Sequence, residues 1–135
     1  MKLKENPFNV KAGDWAYSNS YDYIGKNRFW NKERLITNIP CKNKQIIKER
    51  QKREYLSALL EKFAYDNNAV VSDDLWKDNS VYKYYIIYDY CLDVYKVEGI
   101  VIEKNINTIY FSNERITQEA INEIVLPFME GKNEN

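Results

Sequence analysis

The sequence predicts an α+β fold in which antiparallel β-hairpins, or a meander, pack against one long and one shorter amphipathic helix. Short runs rich in aromatic and β-branched residues alternate with turn residues, as in hairpins. Two other stretches, one after Asn43 and one after Ser112, repeat apolar residues at helical spacing. The chain has 135 residues, enough for one hydrophobic core. We therefore expect a single domain over residues 1–131 and a frayed tail over 132–135.

The first predicted element is a hairpin. Residues 13–23 read GDWAYSNSYDY, in which aromatic residues surround a polar Ser18–Ser20 centre typical of a turn. Gly25, Lys26 and Asn27 should interrupt this pattern. A further strand is expected over Phe29–Thr37, before Pro40 ends regular pairing.

A long helix is predicted next, with Asn43 as its N-cap and its end near Asp66. Its second half has apolar residues at the i, i+3, i+4 and i+7 spacing of a buried face: Leu56, Leu59, Leu60 and Phe63. Its first half is strongly basic, and positive charge there opposes the helix dipole. The second half should therefore form core and the first half should not.

The remaining elements follow from similar patterns. Asp66–Ser80 is polar apart from Trp76 and predicts a loop. The runs VYKYYIIYDY and VYKVEGIVI, separated by a turn around Cys91, predict a second hairpin. A short strand over Thr108–Phe111 should lead to a last helix with Ser112 as its N-cap and Pro127 as its limit. The apolar stripe of that helix comprises Ile116, Ala120, Ile121, Ile124 and Val125.

The composition excludes several kinds of chemistry. The chain has no histidine, which removes the usual general base and metal ligand. Its four glycines cannot form a phosphate-binding loop, and Cys41 and Cys91 lack metal-ligand spacing. Both cysteines are expected to be small buried residues. We predict no enzyme activity, no catalytic residues, no metal and no cofactor.

The chain shows no membrane-spanning or secretory signal. No apolar run approaches the length of a spanning helix, and the start, MKLKENPF, has no apolar core of a leader. We therefore expect a cytoplasmic protein.

Charge is distributed unevenly along the chain. Residues 1–63 hold 14 Lys and Arg against 7 Asp and Glu, a net of +7, whereas residues 64–135 hold 6 against 13, a net of −7. Three interpretations of the basic segment 26–53 stay open. It could bind nucleic acid, it could be a solvated face, or it could pair with an acidic face of a second subunit or of a protein partner. The candidate residues are Lys26, Arg28, Trp30, Lys32, Arg34, Lys44, Lys48, Arg50, Lys52 and Arg53.

Twelve tyrosines add a second candidate surface. Tyrosine offers a large rigid contact area with a polar tip and is enriched at interfaces. In the second hairpin, Tyr82, Tyr84, Tyr88 and Tyr90 share one parity, so they should stand on one face of the sheet. We expect that face to be an exposed aromatic platform.

Several motifs together resemble a family of small accessory proteins of unknown function from phages and prophages of low-GC Gram-positive bacteria. They are GDWAYSNS, Trp30, the capped helix ending in LLEKFAYDNN, KYYIIYDY and NTIYFSNERITQEAINEI. This chain departs from that pattern at Asn43 and at Lys44–Gln45, where threonine and acidic residues are expected.

The resemblance assigns no chemistry to any position. Together with the small size, the absent catalytic groups and the tyrosine-rich sheet, it predicts a non-enzymatic protein of the bacterial host cytoplasm that acts by binding. Its expected partner is a host protein or nucleoprotein complex, with inhibition of a defence nuclease as one version. A nucleic-acid-binding module is the alternative, and a virion structural protein is the third. A homodimer is compatible with each.

Overall fold

A computed structural model describes residues 6–11, 14–20, 23–29 and 39–131. It confirms the α+β class: these residues form two antiparallel hairpins, one long helix and shorter helical segments. In chain order the elements are β1 (Asp14–Ser20), β2 (Tyr23–Phe29), α1 (Lys44–Asp66), α2 (Asp73–Lys77), β3 (Lys83–Asp89), β4 (Val94–Ile100), α3 (Glu114–Ala120), a π-helical turn (Ile121–Val125) and α4 (Leu126–Met129).

Residues cluster into two compact units, Met1–Glu54 and Tyr55–Asn135. The single domain stays a prediction, and the proposed tail over 132–135 lies outside the described residues. Among the helices that the structure describes, none combines the length and the apolar character that crossing a membrane requires.

The first hairpin is longer than predicted, and the residues predicted to form its turn lie in a strand. Ser18, Asn19 and Ser20 belong to β1, and the segment over residues 25–27 is paired within β2 rather than interrupting it. Ser18 is buried on the same face as Ala16, where a small side chain fits, and its backbone pairs with Gly25. The pairing of the backbone groups therefore outweighs the turn preference of these residues. The further strand predicted over Phe29–Thr37 falls almost entirely outside the described residues.

Helix α1 begins as predicted. The Asn43 side-chain oxygen accepts from the backbone N–H of Gln45 at 2.9 Å and of Ile46 at 3.3 Å. The helix ends at Asp66, after which Asn68 adopts a left-handed φ of 52° and Ala69 donates back to the carbonyl of Ala64 at 2.8 Å.

A loop was predicted over Asp66–Ser80, but this segment contains the short helix α2. Ser72 caps this short helix by accepting from the N–H of Leu75 at 3.3 Å, and Asp73 and Asp74 lie in its first turn. These residue types are favourable at a helix start. Since α2 has only five residues, it carries no apolar periodicity from which a helix could be predicted.

The second hairpin is confirmed. Strands β3 and β4 pair antiparallel from Lys83 opposite Ile100 to Asp89 opposite Val94. Near the open end, a Cβ on Gly99 would lie 3.0 Å from the Tyr82 ring, so glycine leaves room for that ring to lie over the strand.

The strand predicted over Thr108–Phe111 is reduced to Phe111, which forms isolated bridges to Val70 and Tyr84. Its side chain is fully buried in a cluster with Ala64, Ala69, Ile116 and Ala120. Partly buried residues pack against this cluster: Leu60, Phe63, Ile86 and Ile109. The predicted core stripes of α1 and α3 therefore meet the second hairpin in one core.

The last helix begins one residue later than predicted, because Asn113 rather than Ser112 is its N-cap and accepts from the N–H of Ile116 at 3.0 Å. Pro127 does not stop it. Proline has no N–H for the preceding turn and crowds it. The helix widens there into the π-helical turn, where Leu126 donates to the carbonyl of Ile121, and then continues as α4.

Candidate binding surfaces

The first half of α1 presents a basic face, which we define as Lys44, Lys48, Lys52 and Arg53. All four residues are exposed, whereas Ile47 on the opposite side is fully buried. The three lysines follow each other at four-residue intervals, so they form one stripe with about 6 Å between neighbours along the helix axis.

Little negative charge lies on this face. The first turn of α1 has no acidic residue. Glu49 accepts from the side-chain amide of Gln45 at 2.8 Å. Within the described part of the chain, Lys44, Lys48 and Arg53 form no ion pair. Arg50 is half-buried and lies off this face, and its role in binding stays a prediction.

The other predicted basic residues are placed only in part. Lys26 and Arg28 lie in β2, opposite Tyr17 and Trp15 of β1. Trp30, Lys32 and Arg34 lie outside the described residues. Whether they extend the basic face stays a prediction.

The tyrosine face of the second hairpin is not the open platform that was expected. Tyr84 and Tyr88 lie opposite Gly99 and Tyr95 and are half-buried, and Ile86 between them packs against the core cluster. The core therefore covers the middle of this face. The exposed rings lie at its two ends, where Tyr82 stacks on Tyr84 with centroids 6.3 Å apart and Tyr90 meets Tyr88 edge-on at 4.7 Å.

The tip of this hairpin is organised by Asp89. Its carboxylate accepts from the backbone N–H of Cys91 at 2.9 Å and of Leu92 at 3.1 Å, and lies 3.1 Å from the Lys96 ammonium. The Leu92 N–H, followed by Lys96, holds the pKa of the Asp89 carboxyl below its ordinary value. Cys91 is exposed at this tip, so its predicted burial is wrong, whereas Cys41 is fully buried as predicted.

A cleft that sequence reasoning missed lies beside Trp76 in the second unit. Its volume is about 170 Å³, and the edge of the Trp76 ring contacts the Tyr110 ring at 4.8 Å. Its lining also includes Glu61, Tyr65 and Lys104. Aromatic side chains together with the Lys104 ammonium and the Glu61 carboxylate could bind a small polar group. The signal available in the sequence was Trp76, an isolated large aromatic in a polar segment.

Lys83 is fully buried and lies beside Trp76. Its ammonium donates to the carbonyls of Asp78 and Val101, both at 2.7 Å, and lies 5.4 Å from the Trp76 ring centre. The ring and the two carbonyls together replace the water that a buried charge loses. We interpret Lys83 as a structural residue that ties the start of β3 to the chain on both sides of the hairpin.

Over residues 6–11, 14–20, 23–29 and 39–131, no group of three or more acidic or cysteine side chains could hold a metal ion. No family model, curated protein sequence or solved structure matches this chain.

Proposed function

We propose that this chain is a non-enzymatic binding protein that engages a negatively charged partner through the basic face of α1. The observation that carries the proposal is the exposed lysine stripe of α1, formed by Lys44, Lys48 and Lys52. Residues 44–52 contain a single acidic residue, Glu49. A row of cations on a rigid helix suits a row of anions.

This stripe is unfavourable for the helix itself. Lysines four residues apart repel each other by about 0.2–0.5 kcal/mol per pair. Positive charge in the first turn also opposes the helix dipole, by roughly 0.3–1 kcal/mol at an exposed site. A helix built for stability alone would carry acidic residues there. The stripe is therefore better explained by a partner than by the fold.

The partner chemistry that fits best is a nucleic-acid backbone, because phosphates supply closely and regularly spaced negative charge. We propose that this backbone belongs to a nucleoprotein complex in the bacterial host cytoplasm. A defence nuclease with its bound nucleic acid is one concrete version, motivated by the resemblance to phage accessory proteins together with the small size, the absent catalytic groups and the tyrosine-rich hairpin. The acidic surface of a protein without nucleic acid is the alternative.

The test titrates the full chain into fluorescently labelled DNA and RNA, each in duplex and in single-stranded form. Fluorescence anisotropy measures binding at about 50 mM salt. Lys44→Glu with Lys48→Glu should weaken binding at least about tenfold and reduce the salt slope by about 2, one unit for each lost phosphate contact. The matched control is Lys62→Glu with Lys77→Glu, which makes the same charge change on exposed lysines of the second unit.

Three results would count against the proposal. Absence of any complex at low salt excludes the nucleic acid and leaves the acidic protein surface as partner. An equal loss in both double variants means that net charge alone drives binding. Hydrolysis of a nucleotide or nucleic acid by the purified protein, lost on changing a carboxylate, would show an enzyme.

A further inference from the structure

The outer edge of β4 has no partner among the residues that the structure describes. Strand β4 pairs with β3 along its other edge, and no further backbone hydrogen bond joins it to the described chain. None of its residues is buried, and Gly99 and Val94 are exposed. An open edge of this kind is a template for another strand.

The backbone groups on this edge can be identified from the opposite side of the hairpin. Tyr84 donates to Phe111 at 2.8 Å and accepts from it at 2.7 Å, so its N–H and C=O point away from β4. In an antiparallel pair, residues directly opposite each other both point their backbone groups inward or both outward, alternating along the strand. The residue opposite Tyr84 is Gly99, and the alternation extends to Val97 and Tyr95. The outer edge of β4 therefore presents the N–H and C=O groups of these three residues.

This edge is complementary to itself. When two copies of β4 run antiparallel with Val97 opposite Val97, Tyr95 of each copy lies opposite Gly99 of the other. All three resulting pairs join residues with outward backbone groups, and each pair can exchange two hydrogen bonds. The same register places Lys96 of each copy opposite Glu98 of the other, so opposite charges meet twice.

Other registers lose this match. Sliding one strand by a single residue would turn the backbone groups the wrong way and exchange the two faces of the sheet. Moving the two-fold axis to Lys96 would put two lysines opposite each other, and moving it to Glu98 would put two glutamates opposite each other. Centring the pairing on Tyr95 would put Glu98 opposite Leu92, and centring it on Gly99 would put Glu98 opposite Ile100. Because Gly99 has no side chain, the Tyr82 ring lies over it, and the facing Tyr95 would then lie beside that ring.

We propose that two copies of this chain associate through the outer edges of β4, antiparallel and with Val97 at the two-fold axis, to form a continuous four-stranded sheet. The interface is isologous, so it closes on itself and covers both open edges. It goes beyond the binding function proposed above and does not depend on it, since the proposed pairing uses only residues of β4.

The test uses the charge pair. In Lys96→Glu, two glutamates would face each other across the axis, and in Glu98→Lys two lysines would. Each variant should raise the dimer dissociation constant at least about tenfold, because like charges directly opposite are destabilising. A mixture of the two variants should dimerise again, since every facing pair is then opposite in charge. Light scattering after size exclusion and sedimentation measure the mass of the full chain over a concentration series.

Thermal unfolding of each variant checks that the hairpin still forms, and Lys77→Glu, on α2, is the control that should stay dimeric. A wild-type chain that is monomeric at the highest attainable concentration overturns the proposal. So does a dimer that persists in both single variants, or a mixture that fails to recover. Monomers that instead take up an added strand-forming peptide would show that the edge serves a different partner.

Discussion

The basic half of α1 and the second hairpin differ in where their charged groups find partners. In the hairpin, Lys96 lies 3.1 Å from Asp89 and 3.8 Å from Glu98, and the buried Lys83 donates to two backbone carbonyls. On α1, the exposed Lys44 and Lys48 form no ion pair with the residues that the structure describes. Charge in the hairpin thus supports the fold, whereas Lys44 and Lys48 contribute no ion pair to the part of the fold that the structure describes.

The largest expected effect concerns the anchor of the hairpin. Phe111→Ala should lower the free energy of unfolding by about 3–5 kcal/mol, because Phe111 is fully buried in the core cluster and its backbone bridges to Tyr84. Urea denaturation followed by circular dichroism measures the loss. The control, Ile106→Ala, truncates a side chain that is 90% exposed and should change stability by less than about 0.5 kcal/mol. Similar losses in the two variants would contradict the placement of the core.

Replacing one lysine in each region by methionine tests whether charge supports the fold in the hairpin but not on the exposed face of α1. Lys83→Met leaves the carbonyls of Asp78 and Val101 without their donor, so we expect a loss of about 1–3 kcal/mol. Lys48→Met makes the same chemical change on the exposed face of α1 and should stay within about 0.5 kcal/mol. Denaturant midpoints of the two variants and the wild type give both values. Equal effects would mean that the two lysines do not differ in their role.

The sequence was sufficient to predict the elements that have a strong periodic pattern or a capping residue. It was not sufficient where backbone pairing with a distant segment determines the secondary structure. The helix cap at Asn43, the second hairpin and the α1 residues Leu60 and Phe63 were predicted, because capping and burial leave local patterns. Ser18 was assigned to a turn because its intrinsic preference ignores the pairing partner that the chain supplies seven residues later, at Gly25. A helix as short as α2 leaves no periodic signal.

The candidate surfaces also divide into those with a local sequence pattern and those that depend on contacts between distant segments. The basic face of α1 could be predicted, since both charge and helical spacing are visible in the sequence. The outward backbone groups of β4 could not, because they depend on which residue pairs of β3 and β4 exchange hydrogen bonds, which the contact of Tyr84 with the distant Phe111 reveals. The cleft beside Trp76 and the burial of Lys83 likewise depend on contacts between distant segments.

The smallest expected effect is a pH dependence confined to the hairpin tip. The Leu92 N–H and then Lys96 hold the pKa of Asp89 below the ordinary aspartate value of 3.8. The unfolded chain therefore takes up a proton at higher pH than the folded chain does. The contribution of Asp89 to stability is complete above the ordinary value and is lost as the pH falls through the lower, folded value.

Amide exchange resolved by residue between about pH 5 and pH 2 can locate this loss. Protection of the Cys91 and Leu92 amides should decrease toward acid in the wild type, because these amides donate to the ionised carboxylate. In Asp89→Asn their protection should be weaker at the upper end of this range and should change less with pH. The first turn of α1 has no acidic residue and serves as the internal reference. A parallel decrease in protection there would show that acid destabilises the whole chain. The ionised Asp89 would then have no specific stabilising effect on the hairpin tip.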